Sequence, residues 1–138
     1  MSKTPYSFCI LRYAHDPIAG ECLNIGVLLV CERAGFLDVR LEHDSERLSS
    51  AFAGFDAERF EEVLGHFETA VEHERQEMFE SKQIVADRKD VTADRVVARI
   101  WTDTDLSFRA SEPMGGLSDD LPGTLETLFQ RFVTSQRA

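Results

Sequence analysis

The chain has 138 residues, of which 43% are hydrophobic and 29% charged, and its formal net charge is -10. That length fits one domain burying about two thirds of its unfolded surface, and the mixture excludes a disordered chain. With 25 acids against 15 scattered Lys and Arg, the chain lacks the clustered cations with which proteins grip phosphate backbones, so nucleic-acid binding is not expected.

Cysteine usage and hydropathy narrow the class further. Cys9, Cys22 and Cys31 are odd in number and show no CxxC spacing. Cys9 and Cys31 fall inside apolar runs, where a thiol behaves as a small hydrophobe. Neither a disulfide framework nor a zinc site is expected, and a reducing cytoplasm fits. The run Tyr6-Ser7-Phe8-Cys9-Ile10-Leu11 is broken by Arg12 and is too short for a signal peptide. No stretch approaches the roughly 20 residues of a membrane span.

Residues 6–14 read as a strand with apolar groups on both faces, Tyr6, Phe8 and Ile10 on one, Cys9, Leu11 and Tyr13 on the other. Such a strand belongs in the middle of a sheet. The next strand, 22–31, aligns Leu23, Ile25, Val27 and Leu29 on one face. Its second face begins polar and small with Asn24 and Gly26, then turns apolar with Leu28 and Val30. That pattern predicts open space over one end of the strand, and close packing of a helix over Gly26. Glu32-Arg33-Ala34-Gly35 is a hairpin signal. Strand 36–42 points Leu37, Val39 and Leu41 inward and Asp38, Arg40 and Glu42 outward, as expected nearer an edge. The opening third, 6–42, is thus an antiparallel meander.

Helices dominate the region 45–101. Ser45 can cap a short helix through Ala53, which Gly54 ends, and Asp56 can cap a longer one to about Met78. The longer helix carries Phe60, Val63, Leu64, Phe67, Ala70 and Val71 on one stripe. Residues 81–91 read as a polar surface connection. Thr92 to Trp101 reads as a helix, although Val96-Val97 and Ile100-Trp101 would also suit a strand. A short final strand over 105–110, a Gly-rich loop from Pro113 to Pro122, and a closing helix over 119–135 complete the chain. Ser118 or Asp119 would cap that helix, and Leu121, Leu125, Leu128, Phe129, Phe132 and Val133 form its buried face. The expectation is a single α+β domain, a mainly antiparallel sheet of three to four strands packed against helices.

Candidate chemistry concentrates between the first two strands, where His15, Asp16, Glu21 and Asn24 fall within ten residues. His15 could act as a base near neutral pH, oriented by Asp16 or Glu21, with Asn24 binding a ligand. The competing explanation is turn chemistry, because Asp before Pro17 favours a turn and Gly20 permits a chain reversal. His66 and His73, in line with Glu62 and Glu77, lie roughly 10 Å apart along a helix, too far for one ion. They read as a solvated acidic face, with no metal site. Arg95, Arg99, Trp101 and Arg109 are interleaved with acids and read as local ion pairs. There is no GxGxxG, Walker loop, GxSxG, HExxH or HxE…CxxC, so no catalytic residue and no cofactor are assigned.

The order Tyr6-Ser7…Leu11-Arg12-Tyr13…Asp16-Pro17…Gly20-Glu21…Asn24-Ile25-Gly26-Val27, with Leu106-Ser107-Phe108-Arg109 and Leu125 through Val133 near the end, resembles the DUF3037 family of uncharacterised bacterial domains. A GExxNxGV-like core (Gly20, Glu21, Asn24, Gly26, Val27) is the most specific part. The resemblance gives weight to Arg12, Asp16, Glu21 and Asn24, and the candidate binding set becomes Arg12, His15, Asp16, Glu21 and Asn24. It carries no catalytic assignment. It does imply a small accessory protein encoded beside, and binding, a kinase similar to the HipA toxin kinases. The alternative is a metal-dependent hydrolase or nuclease in which His15, Asp16 and Glu21 hold a divalent ion that activates water.

Overall fold

The central element of the protein is its first strand, which has neighbours on both sides. In the computed structural model, which describes residues 3–16, 21–80, 92–101 and 107–137, β1 (Thr4–Asp16) pairs antiparallel with β2 (Glu21–Cys31) along one edge. Along its other edge lie β4 (Phe108–Ala110) and β5 (Met114–Ser118), which follow one another. β3 (Phe36–Leu41) pairs with β2 and closes the far side of the sheet. The expected meander is therefore present, with its first strand in the middle and its third at an edge. The connections 17–20 and 81–91, and residues 102–106 before β4, lie outside the described residues.

Two apolar cores explain why β1 is buried on both faces. Cys9 and Leu11 enter the larger core with α1 (Glu46–Ala51), α2 (Ala57–Arg75) and α3 (Ala93–Ile100). Phe8 and Ile10 enter a smaller one against α4 (Leu121–Phe132). The described residues thus form a single α+β domain, a five-stranded sheet between three helices and one. Each fully buried Leu, Phe or Val contributes roughly 1.5–3 kcal/mol to holding those layers together.

β2 departs from the simple alternation its sequence predicts. Leu11 pairs with Gly26 and Arg12 with Asn24, so Ile25 is an extra residue, a β-bulge. The phase of the strand reverses there. Ile25, Leu28 and Val30 face the larger core, whereas Val27, Leu29 and Cys31 face the smaller one. The bulge is anchored by the Glu42 amide, which donates to the Ile25 carbonyl at 2.8 Å. Gly26 is required by β3 rather than by a helix. A Cβ there would lie 2.5 Å from Leu41 Cδ2 and 2.7 Å from the Arg40 carbonyl oxygen.

The helices largely follow their sequence signals. Asp56 caps α2 by accepting from the Arg59 amide at 3.1 Å, and Phe60, Leu64, Phe67 and Val71 form its buried stripe. The helix continues as a π-helical turn over Gln76–Glu80 that carries Met78 into the core. Val96 and Val97 lie on a helix, with Trp101 ending it against Phe67 at 4.4 Å between ring centroids.

Two expectations near the C-terminus are corrected. The segment expected as a loop contains β5, because pairing with Thr4–Phe8 outweighs the poor strand preference of Gly115-Gly116. Gly116 lies under the Tyr6 ring, which a Cβ there would force to shift. The cap of α4 is Asp120, which accepts from the Gly123 amide at 3.2 Å. Ser118 is instead buried, and its hydroxyl accepts from the Asp120 amide at 3.0 Å. Among the described residues no helix is long and apolar enough to cross a membrane.

Gly26→Ala is expected to destabilise the protein by about 1–3 kcal/mol, since backbone as well as the Leu41 side chain must yield. Urea denaturation measures this, and a neutral result would show that β3 is not held against the bulge.

Candidate functional site

Beyond the bulge, the polar end of β2 faces α4, and the last turn of that helix needs partners for its carbonyls. Asn24 supplies one. Its Nδ2 donates to the Phe132 carbonyl at 2.9 Å, and its Oδ1 accepts from Arg12 Nε at 3.1 Å. Arg47 of α1 reaches the same place, donating to the Asn24 carbonyl at 2.7 Å and to the Val133 carbonyl at 3.4 Å. Two guanidinium groups at a helix C-terminus also suit the negative end of its dipole. The open space expected over this end of β2 is therefore filled by a half-buried polar bracket. It joins β1, β2, α1 and α4.

His15 lies on the opposite face of the sheet. Its ring stacks on Phe52 at 4.8 Å and an interplanar angle of 10°. Its Nδ1 is 3.2 Å from the Tyr13 hydroxyl, within hydrogen-bond reach. Tyr13 in turn sits among Phe52, Phe55, Phe60 and Phe108. The side chain of His15 thus covers an aromatic cluster. Asp16 and Glu21 face each other across the end of the β1–β2 ladder, and their side chains lie outside the described residues. Of the five candidate residues the structure brings Arg12 and Asn24 together and separates them from His15 by the thickness of the sheet. Among the described residues no group of three His, Cys, Asp or Glu side chains is placed to hold a metal ion.

Other sequence candidates resolve into packing. Burial pushes the Cys9 thiol up to about 12, assisted by the charge of Asp94, so it remains a thiol and an apolar filler. Cys31 is likewise buried. Trp101 belongs to the larger core, and Arg99 pairs with Glu74 at 3.4 Å. His73 approaches Glu77 at 3.8 Å, both exposed.

Three features were not legible as sites. His43, just beyond β3, places Nδ1 3.0 Å from Glu61 and Nε2 2.9 Å from Glu68. Hydrogen bonding to Glu61 raises its pKa above the usual histidine value, with Glu68 adding to the effect against a smaller opposing cost of burial. Glu61 and Glu68, seven residues apart on α2, thus meet one imidazole from its two nitrogens. The second feature is β5, which exposes Met114 and Leu117, the latter at 63%. The third is a groove of about 320 Å³ between α3 and the β4–β5 connection, walled by Val97, Ala98, Trp101, Ala110 and Pro113.

A family model described as a protein of unknown function, DUF3037, matches residues 8–133, nearly the whole chain. The chain belongs to that family. Neither curated proteins nor solved structures give a significant match. The matched region takes in the bulge, the Arg12–Asn24 pair and the C-terminal turn of α4 that the pair holds.

Asn24→Leu deprives the Phe132 carbonyl and Arg12 Nε of partners and is expected to cost about 1–3 kcal/mol in urea denaturation. A loss well below this would show that the bracket carries little of the fold. His43 is expected to contribute a pH-dependent increment. Its folded pKa lies above the unfolded value near 6.5, so the contribution is complete below that value and fades as pH rises through the folded pKa. The stability difference between wild type and His43→Gln should therefore be larger at about pH 5.5 than at about pH 9. It should stay within about 1 kcal/mol because the pair is solvent-screened. An equal difference at both pH values would refute the charged pairing.

Proposed function

We propose that the protein is a non-enzymatic accessory module that binds a partner protein along one edge of its sheet. The observation that carries this reading is the unlike treatment of the two edges. β3 is partly blocked against further pairing. Arg75 Nε donates to the Leu37 carbonyl at 2.7 Å, the Asp38 carboxylate accepts from the Val39 amide at 2.8 Å, and Arg75 also pairs with Asp38 at 3.3 Å. Side chains thus occupy main-chain groups that would otherwise recruit a strand.

The β4–β5 edge has no such protection among the described residues. From Pro113 to Ser118 it carries no charge, and it exposes Met114 and Leu117. Exposed uncharged edges invite partner strands. A kinase similar to the HipA kinases is the candidate that the family resemblance implies. Within this reading Arg12 and Asn24 act by holding the sheet to α4. The end of the β1–β2 ladder, with His15, Asp16 and Glu21, is a candidate for additional contact. A hydrolytic role for those three gains no support from a His15 ring stacked on Phe52.

Calorimetric titration of a HipA-like kinase from the same cells, the partner that the family resemblance implies, is expected to show a one-to-one complex with a micromolar or tighter Kd. Met114→Ala combined with Leu117→Ala should weaken it at least tenfold at unchanged melting temperature. No heat of binding at tens of micromolar protein would remove this partner.

A further inference from the structure

A partner bound along β4–β5 must match the chemistry of that edge, so the kind of segment it presents can be inferred, an inference that rests on the partner-binding reading. Ser111 bridges β4 and β5, its amide donating to the Ile10 carbonyl at 2.8 Å and its hydroxyl accepting from the Ile10 amide at 2.8 Å. Ile10 therefore turns its main-chain groups toward this edge, and so, by alternation along β1, do Phe8, Tyr6 and Thr4. Their partners Met114, Gly116 and Ser118 turn inward to meet them. Gly115 and Leu117 consequently direct their N–H and C=O groups away from β1. The same alternation sets Leu117 on the face that carries Ala110 and α3, the face on which the groove walled by Val97, Ala98, Trp101 and Pro113 opens.

Charge fixes what can lie there. The uncharged stretch 113–118 is bounded by Glu112 on one side and by Asp119 and Asp120 on the other. All three are exposed. On the groove lining Asp94 and Glu112 outnumber Arg109. A second copy, itself carrying a net charge of -10, would bring acids against acids at both ends of the shared ladder. A segment with cationic ends would meet opposite charge at both. The geometry points to β4–β5 as a strand-addition site for an extended segment of a partner protein. That segment has an uncharged β-forming centre, one large apolar side chain entering the groove, and Lys or Arg at its flanks.

Two synthetic peptides test this on the full chain. They share a Val-Thr-Leu-Thr-Val centre, and one is flanked by lysine pairs, the other by glutamate pairs. The lysine peptide is expected to slow amide exchange at Gly115 and Leu117 and to bind at least tenfold tighter, with its advantage shrinking as salt rises. Leu117→Pro deletes one outward N–H at a position where an edge strand tolerates proline. Ala98→Tyr fills the groove from an exposed helix position. Each should weaken the lysine peptide tenfold or more while the melting temperature stays near wild type. If Leu117→Pro does not fold, Ala98→Tyr and the exchange data decide. Equal binding of the two peptides, no protection at Gly115 and Leu117, or self-association of the free chain through this edge would each overturn the inference. A kinase complex that survives both variants would overturn it too, while leaving the partner-binding reading intact. Absence of any kinase complex with wild type would instead defeat that reading, and the peptides would still decide the edge.

Discussion

Much of this fold depends on one extra residue in β2. If the strand ran without the bulge at Ile25, Asn24 would stay in phase with Leu28 and Val30, which face the larger apolar core. An amide buried there would have to find partners among aliphatic and aromatic side chains, at a cost of several kcal/mol on apolar-transfer scales. The bulge moves Asn24 to the face of Val27 and Leu29, where the C-terminal carbonyls of α4 lie within reach. The same shift lets Ile25 fill the larger core and lets Val27 and Leu29 fill the smaller one. One irregularity therefore serves both layers, and Gly26 is the residue whose missing side chain lets β3 follow the bent strand closely.

The polar bracket that results has a mechanical role. Among the described residues α4 is the only α-helix on its face of the sheet, and its apolar stripe fixes its distance from the strands but not its position along them. Asn24, Arg12 and Arg47 supply directional contacts at its last turn. At the other end Asp120 and Ser118 tie its first turn to β5. The helix is thus held at both termini by groups that also belong to the sheet or to its immediate connections. Arg12 and Asn24, which attract notice as polar residues in apolar strands, are accounted for by this role alone.

Sequence periodicity revealed the parts of the fold governed by local rules. β1 reads correctly because its alternation is unbroken and both faces are apolar. α2 reads correctly because Asp56 caps it and its stripe keeps helical spacing. β2 misleads at Ile25 because a bulge leaves no mark in a run of apolar residues, and only the mid-strand glycine hints at it. β5 is hidden because Gly115-Gly116 carries turn chemistry, and its pairing is with residues more than a hundred positions earlier. The candidate cluster suffers from the same limit. His15 and Asn24 are neighbours in sequence across a hairpin, but opposite faces of a sheet separate their side chains. The bracket, by contrast, depends on Phe132 and Val133, which no local pattern connects to β2.

The two sheet edges differ in a way that bears directly on function. An edge strand exposes main-chain donors and acceptors whatever its sequence, so a protein that must remain alone has to cover them. At β3 that covering is specific, since Arg75 comes from α2 and Asp38 turns its carboxylate back on the neighbouring amide. At β4–β5 the sequence does the reverse, placing glycines and exposed apolar side chains where charge would be protective. Packing does not force that choice. Leu117 is 63% exposed and contributes little to either core, so a lysine there would cost the fold almost nothing and would close the edge. Among the described residues the two edges thus differ physically, and on the proposed reading the unprotected one is left for a partner. On the same reading, the exposed Glu112, Asp119 and Asp120 around that edge would repel another copy of this acidic chain and attract a cationic strand.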